Sequence, residues 1–131
     1  MNNLRTIVEN LCKNYPGVIA VYLFGSQAKG ASRQGSDLDL AILVSEPARD
    51  FPLLQFQVDL EGMVSSPVDV VVLNRAGEVL KYHVRRDGKL LYEKDSRERK
   101  NFEIRSRKYF EDFQYLHNRY VKKVIYGEGH G

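Results

Sequence analysis

A Gly-Ser pair ends one apolar run of this chain, and an Asp-Leu-Asp opens the next after ten intervening residues. The segment is Phe24-Gly25-Ser26, then residues 27–36, then Asp37-Leu38-Asp39-Leu40. Before it stand Val18, Ile19, Val21, Tyr22, Leu23 and Phe24; after it come Leu40, Ala41, Ile42, Leu43 and Val44. The pattern reads as a strand over 18–24, a tight turn with a short helix over 26–30, and a second strand over 38–44. Residues i and i+2 of a strand share a face, so Asp37 and Asp39 are expected to project side by side.

Two carboxylates that close repel unless something neutralises them. A divalent cation that prefers hard oxygen ligands would do so. Gly25 and Ser26, at a strand-to-helix turn, offer backbone N–H groups and a hydroxyl to an anion. A phosphate cradle beside a carboxylate metal site suggests phosphoryl or nucleotidyl transfer.

A third carboxylate lies further on. The stretch Ser66-Pro67-Val68-Asp69-Val70-Val71-Val72-Leu73 reads as a buried strand over 67–73, opened by proline, with Asp69 its one charge. If this strand lies beside the one bearing Asp37 and Asp39, three carboxylates converge. Such a set would suit two Mg²⁺ ions about 3.5–4 Å apart, the arrangement for in-line displacement at phosphorus. Taken singly, each piece has an ordinary reading. Gly-Ser after a strand is often a turn, a bare Asp-x-Asp can be turn or cap chemistry, and a lone strand Asp can bond a backbone N–H. It is their conjunction and spacing that point to a site.

On these residues the chain resembles the minimal nucleotidyltransferases of the DNA polymerase β superfamily, whose signature is GSx10DxD with a later Asp. More narrowly it resembles the MNT antitoxins paired with HEPN toxins in prokaryotes. The resemblance extends through Leu90-Leu91-Tyr92-Glu93, but its specific part is residues 24–40 and Asp69. It implies an α/β (α+β) fold, with a small mixed β-sheet nucleotidyltransferase core flanked by helices and a long C-terminal helix. It also implies ATP with Mg²⁺, and transfer of AMP to a tyrosine of an all-helical HEPN RNase toxin in a hetero-oligomer. The metal ligands carry over to Asp37 and Asp39, the base-like third carboxylate to Asp69, and the phosphate-binding pair to Gly25 and Ser26. The chain lacks the Arg and His spacing of the HEPN RNase motif, so the resemblance makes it the antitoxin. Two rivals stand beside this reading: a small-molecule, aminoglycoside-type nucleotidyltransferase, and a non-catalytic antitoxin acting by occlusion.

The rest of the chain is organised around that motif. Leu4, Ile7, Val8, Leu11, Cys12 and Tyr15 recur at helical spacing, which predicts a helix over 3–15 stopped by Pro16-Gly17. Residues 51–64 fit either period, and Asp50 as N-cap with Pro52 in the first turn favours a helix. A helix over 76–85 and a short strand over 89–92 follow, joined by Asp87-Gly88. From Ser96 to about Tyr126 runs an amphipathic helix. Phe102, Tyr109, Phe113, Leu116, Tyr120 and Val124 form its stripe, widened by Ile104, Phe110, Val121 and Ile125. That is more apolar surface than one buried face needs, so the helix is expected to serve both the core and a partner. One domain is expected over 1–131, with its core in 1–95 and a flexible tail at 127–131.

Composition narrows the class. No apolar stretch approaches the roughly 18 residues of a membrane span. The start, Met-Asn-Asn-Leu-Arg, lacks a signal-peptide layout, and a single cysteine, Cys12, fits a reducing cytoplasm. Residues 1–74 hold five Lys/Arg against eight Asp/Glu, and residues 75–131 hold fifteen against nine. The basic half could face phosphates, nucleic acid or an acidic partner, although its interleaved acids equally suit a solvated helix surface. No sequence-specific nucleic-acid binding is expected. His83, His117 and His130 fit no zinc spacing, and no P-loop is present.

Overall fold

Val-, Ile- and Leu-rich runs with few charges make the two innermost strands, because only β-branched and aliphatic residues fill a sheet covered on both faces. The computed structural model describes residues 2–25 and 38–125. The element order is α1 (Asn2–Cys12), β1 (Val18–Phe24), β2 (Leu38–Val44), a 3-10 turn (Ala48–Asp50), α2 (Leu53–Val64), β3 (Val68–Val72), a second 3-10 turn (Leu73–Arg75), α3 (Glu78–Asp87), β4 (Lys89–Glu93) and α4 (Ser96–Ile125). The expected short helix at 26–30 and the tail at 127–131 lie outside the described residues.

The sheet is mixed, in the order β3-β2-β1-β4. β1 pairs antiparallel with both β2 and β4, whereas β2 and β3 run parallel. A parallel pair needs a crossover, and α2 supplies it between β2 and β3. One sheet face packs on α1 and α2. Its core holds Val8, Leu11, Val21, Leu23, Leu40, Ile42, Phe56 and Leu60. The other face packs on α3 and α4 through Ile19, Tyr22, Ala41, Leu43, Leu73 and Val84, with Phe102 at its margin. Alternate residues of β2 thus divide between the two cores, as the two-residue period of a strand requires.

The structure corrects several expected boundaries. α1 ends at Cys12, not at residue 15. The chain then leaves through tight turns in which the N–H groups of Lys13, Asn14 and Tyr15 reach the carbonyls three residues back. Tyr15 instead caps the core beside Phe51 and Phe56, its hydroxyl donating to Asp59 Oδ2 at 2.5 Å. Asp50 does not cap α2. It belongs to the 3-10 turn, and Pro52 occupies the N-cap position with no side-chain cap. The helix at 53–64 wins over the strand reading because Phe56 and Leu60, one turn apart, reach the same core. A capping carboxylate does appear at α4, where Asp95 Oδ1 accepts from the N–H groups of Arg97 and Glu98 at 3.0 and 3.1 Å.

α4 is 30 residues long, and Ser106 is its one buried residue. A clamp fixes its start to the sheet. Tyr22 Oη on β1 donates to Glu103 Oε2 at 2.7 Å, Arg99 Nη1 donates to the same oxygen at 2.6 Å, and Arg99 Nε donates to Glu93 on β4. Burial and the bond to Glu103 push the Tyr22 hydroxyl pKa up. Further on, Tyr82 of α3 stacks on Phe110, ring centroids 4.3 Å apart. Beyond Phe110 the helix makes almost no contact with its own domain: residues 111–120 are all exposed.

Candidate active site

Register brings two of the expected carboxylates together. In the parallel β2–β3 pair, Asp39 is the partner of Asp69. Residues directly opposite on neighbouring strands present their side chains on the same face. Asp39 shares its face with Ala41 and Leu43, Asp69 with Val71, and these belong to the α3/α4 side of the sheet. Asp39 is half-buried and Asp69 is exposed.

That exposure corrects the expectation of a strand buried on both faces. β3 is an edge strand, and α3 and α4 cover the sheet nearer its centre. Val68 and Val70 point into the α1/α2 core, while Asp69 lies on the opposite face, open to solvent. An accessible carboxylate is what a substrate-facing role requires; a sealed one would have needed a buried partner.

Gly25 completes this corner. It follows β1 immediately and has φ +75°, a backbone conformation that L side chains rarely adopt. A Cβ placed on it would run into Asp39 Oδ2 and would lie 3.2 Å from Cγ and 3.3 Å from Cβ of that residue. The turn can therefore pass against the Asp39 carboxylate only as glycine. Phe24, the register partner of Asp39 on the other side, closes the site toward the core.

Ser26 and Asp37 lie outside the described residues. Among the described residues no group of three or more His, Cys, Asp or Glu side chains is placed to hold a metal ion. What is described is a pair, Asp39 and Asp69, directly opposite each other on hydrogen-bonded strands, which in sheets generally lie about 4.8 Å apart. Two hard oxygen donors so placed, with a third carboxylate two residues upstream in sequence, fit Mg²⁺.

At the other end of β2 lies a cavity of about 570 Å³ between the sheet, α3 and α4. Leu43, Val44, Ser45 and Glu46 form one side, and Lys81, Phe102, Arg105 and Tyr109 are among the residues opposite. From Asp39 to Val44 is about 17 Å along the strand, so this cavity is separate from the carboxylate pair. It has no counterpart among the sequence motifs. Its lining comes from five elements, β1, β2, the second 3-10 turn, α3 and α4, and no linear motif unites them.

Residues 7–97 match the polymerase beta nucleotidyltransferase family. The chain is 32% identical over 90 residues to the protein adenylyltransferase MntA of Shewanella oneidensis, covering 69% of this chain and 65% of that protein. It is 31% identical over 112 residues to the protein adenylyltransferase MntA of Aphanizomenon flos-aquae, covering 78% and 75%. Its fold matches a chain of a mutant MntA–HpeT toxin–antitoxin crystal structure with a TM-score of 0.72 and 27% identity, covering 92% of this chain and 95% of that one. No helix of the described residues is long and apolar enough to cross a membrane. The matched segment takes in the second half of α1, the Gly25-Ser26 pair, both candidate carboxylate strands and β4, so on sequence and on fold alike the chain belongs to the polymerase beta nucleotidyltransferase family.

Proposed function

We propose that this chain is a Mg²⁺-dependent protein adenylyltransferase, an antitoxin that transfers AMP from ATP to a tyrosine of a cognate HEPN RNase toxin and so neutralises it. The observation that carries this reading is the Asp39–Asp69 register pair, with Gly25 built against the Asp39 carboxylate. Two similar proteins named protein adenylyltransferase MntA, and a toxin–antitoxin structure of the same fold, support the acceptor class.

In this reading Asp37 and Asp39 hold Mg²⁺, with Asp69 reaching a second ion. Bound there, the metal supplies charge neutralisation for the triphosphate and the departing pyrophosphate. Gly25 and Ser26 hold phosphate oxygens through backbone N–H groups and the serine hydroxyl. Asp69, exposed beside Asp39, accepts the proton of the incoming tyrosine hydroxyl, whose ordinary pKa near 10 leaves it protonated at neutral pH. The phenolic oxygen attacks the α-phosphorus, the bond from that phosphorus to the bridging oxygen breaks, and pyrophosphate leaves. Positioning and charge account for most of the rate.

The test is intact-mass spectrometry of the chain co-incubated with Mg²⁺-ATP and its cognate HEPN toxin. The expected result is a toxin heavier by one or more AMP units, with the adduct on tyrosine. A toxin of unchanged mass that an Asp39→Asn, Asp69→Asn variant still neutralises would leave occlusion as the function. An adduct on an aminoglycoside and none on the toxin would assign the small-molecule class.

A further inference from the structure

The α4 stripe has a definite period. Phe102, Ser106, Tyr109, Phe113, Leu116, Tyr120 and Val124 follow one another at three- and four-residue steps, the spacing of a seam that another helix fills. Its first part is occupied within the domain: Ser106 is buried and Phe102 packs beside Leu43 and Val84. Its second part is bare, with Tyr109, Leu116, Tyr120 and Val124 60–66% exposed and Phe113 46%.

The two parts meet at the remote cavity. Phe102, Ser106 and Tyr109 of the seam line it, so the bare stripe runs directly into its mouth. Asn101 and Arg105, on the same wall, have no side-chain hydrogen-bond or ion-pair partner among the described residues. The cavity's acids leave Arg105 unmatched. Glu46 is held by Asn74 Nδ2 at 2.9 Å and the Ala48 N–H at 2.8 Å, and Glu98 lies two turns from Arg105, about 10 Å along the helix. Lys81 lies opposite, near Glu78 and over the Phe102 ring. From Arg105 at the cavity to Ile125 at its end, the helix carries six Lys/Arg against two Asp/Glu.

We propose that the cavity and the bare seam form one docking site for an amphipathic helix of the protein that this chain modifies, with an acidic side chain of that helix seated in the cavity against Arg105 and Asn101. The proposal deepens the acceptor named above and rests on that reading for the identity of the partner. A seam of this period selects a helix, and the excess of basic residues along it selects an acidic one. The cavity lies about 17 Å along β2 from Asp39, so docking there holds the partner while leaving the carboxylate corner open to the acceptor.

Steady-state transfer to the toxin, with toxin concentration varied, tests this in Arg105→Glu and in Leu116→Glu. Both residues are exposed, so neither change disturbs the core. The expected result is a rise of at least about tenfold in KM for toxin, with kcat at saturating toxin and ATP affinity within about twofold of wild type, the signature of lost uniform binding. Calorimetric titration of toxin without ATP should show the same loss of affinity, and this arm stands even if no AMP is transferred. Wild-type affinity in both variants overturns the proposal. So does a fall in kcat or ATP binding with KM unchanged, which would make Arg105 a structural residue. Sedimentation of the chain alone covers the other occupant: a dimer that Leu116→Glu dissociates would assign the seam to a second copy and overturn it as well.

Discussion

The carboxylate of Asp39 fills the space where a side chain on Gly25 would stand. The two residues lie 14 positions apart in sequence, one just after β1 and the other at the start of β2, yet Gly25 stands against the acid with no room for a Cβ. Gly25→Ala therefore meets two penalties, a positive φ and a collision with the carboxylate. We expect about 1–3 kcal/mol of lost stability. Displacing Asp39 should cost at least about 10²-fold in transfer rate. Thermal unfolding and single-turnover kinetics on the same variant measure both. Wild-type transfer would show that the Gly25 contact has no role in placing the acid.

Asp69 is the residue at which chemistry and nucleotide binding should separate. It sits on a different strand from Asp39 and faces solvent, where an acceptor hydroxyl can reach it. Asp69→Asn should lower the transfer rate by at least about 10²-fold, the scale of a general-base contribution. ATP affinity, measured by calorimetry with Mg²⁺, should fall far less. Asp37→Asn combined with Asp39→Asn should abolish Mg²⁺-dependent ATP binding. Equal binding by that double variant and wild type would remove both residues from the site.

What could be read from sequence divides along a physical line. Strands β1 and β2 were legible to the residue, because a sheet covered on both faces demands unbroken apolar runs and turn residues bound them. The Asp39–Asp69 pair was legible only on the condition that their strands are neighbours, because strand period fixes which residues of one strand share a face and not which strand lies alongside. Asp69's exposure was not, since the valines around it look alike on a central strand and on an edge strand; strand order decides, and order is a tertiary property. The end of α1 and the cap of α2 depart from the sequence pattern for a related reason. Tyr15 keeps the helical spacing of its neighbours yet is buried from a turn, and Asp50 has the chemistry of a cap but sits in a 3-10 turn. The cavity beside α4 had no sequence signal at all.

Buried acids with raised pKa values, Cys12 and Tyr15 among them, make stability fall at high pH. Burial pushes the Cys12 thiol up to about 12, and burial with the bond to Asp59 pushes the Tyr15 hydroxyl up to about 12. In the unfolded chain they ionise near 8.5 and 10, respectively. The unfolded state therefore loses these protons first. Stability is full below pH 8.5 and declines as pH rises through the window up to about 12. Urea midpoints measured from pH 8 upward should fall, and Tyr15→Phe should flatten the part of the slope above pH 10. An unchanged slope in that variant would show that Tyr15 does not titrate with unfolding.

Arg99 joins three elements through two carboxylates. It donates to Glu93 on β4 and to Glu103 on α4, and Glu103 also accepts the Tyr22 hydroxyl of β1. The Arg99 side chain is 16% exposed, so solvent screens these bonds only in part. Arg99→Met keeps most of the aliphatic stem but leaves both glutamates without their cation. We expect a loss of about 1–3 kcal/mol, the range for partly buried charged groups left unsatisfied. Arg99→Lys should recover only part, because an ammonium cannot span the two acids as the planar fork does. The clamp holds the root of α4 and not the carboxylate corner, so ATP affinity should stay near wild type in both variants while hydrogen exchange accelerates in residues 96–110. Protection unchanged across that stretch would mean that the apolar contacts of Phe102 and Phe110 suffice to hold α4 on the sheet.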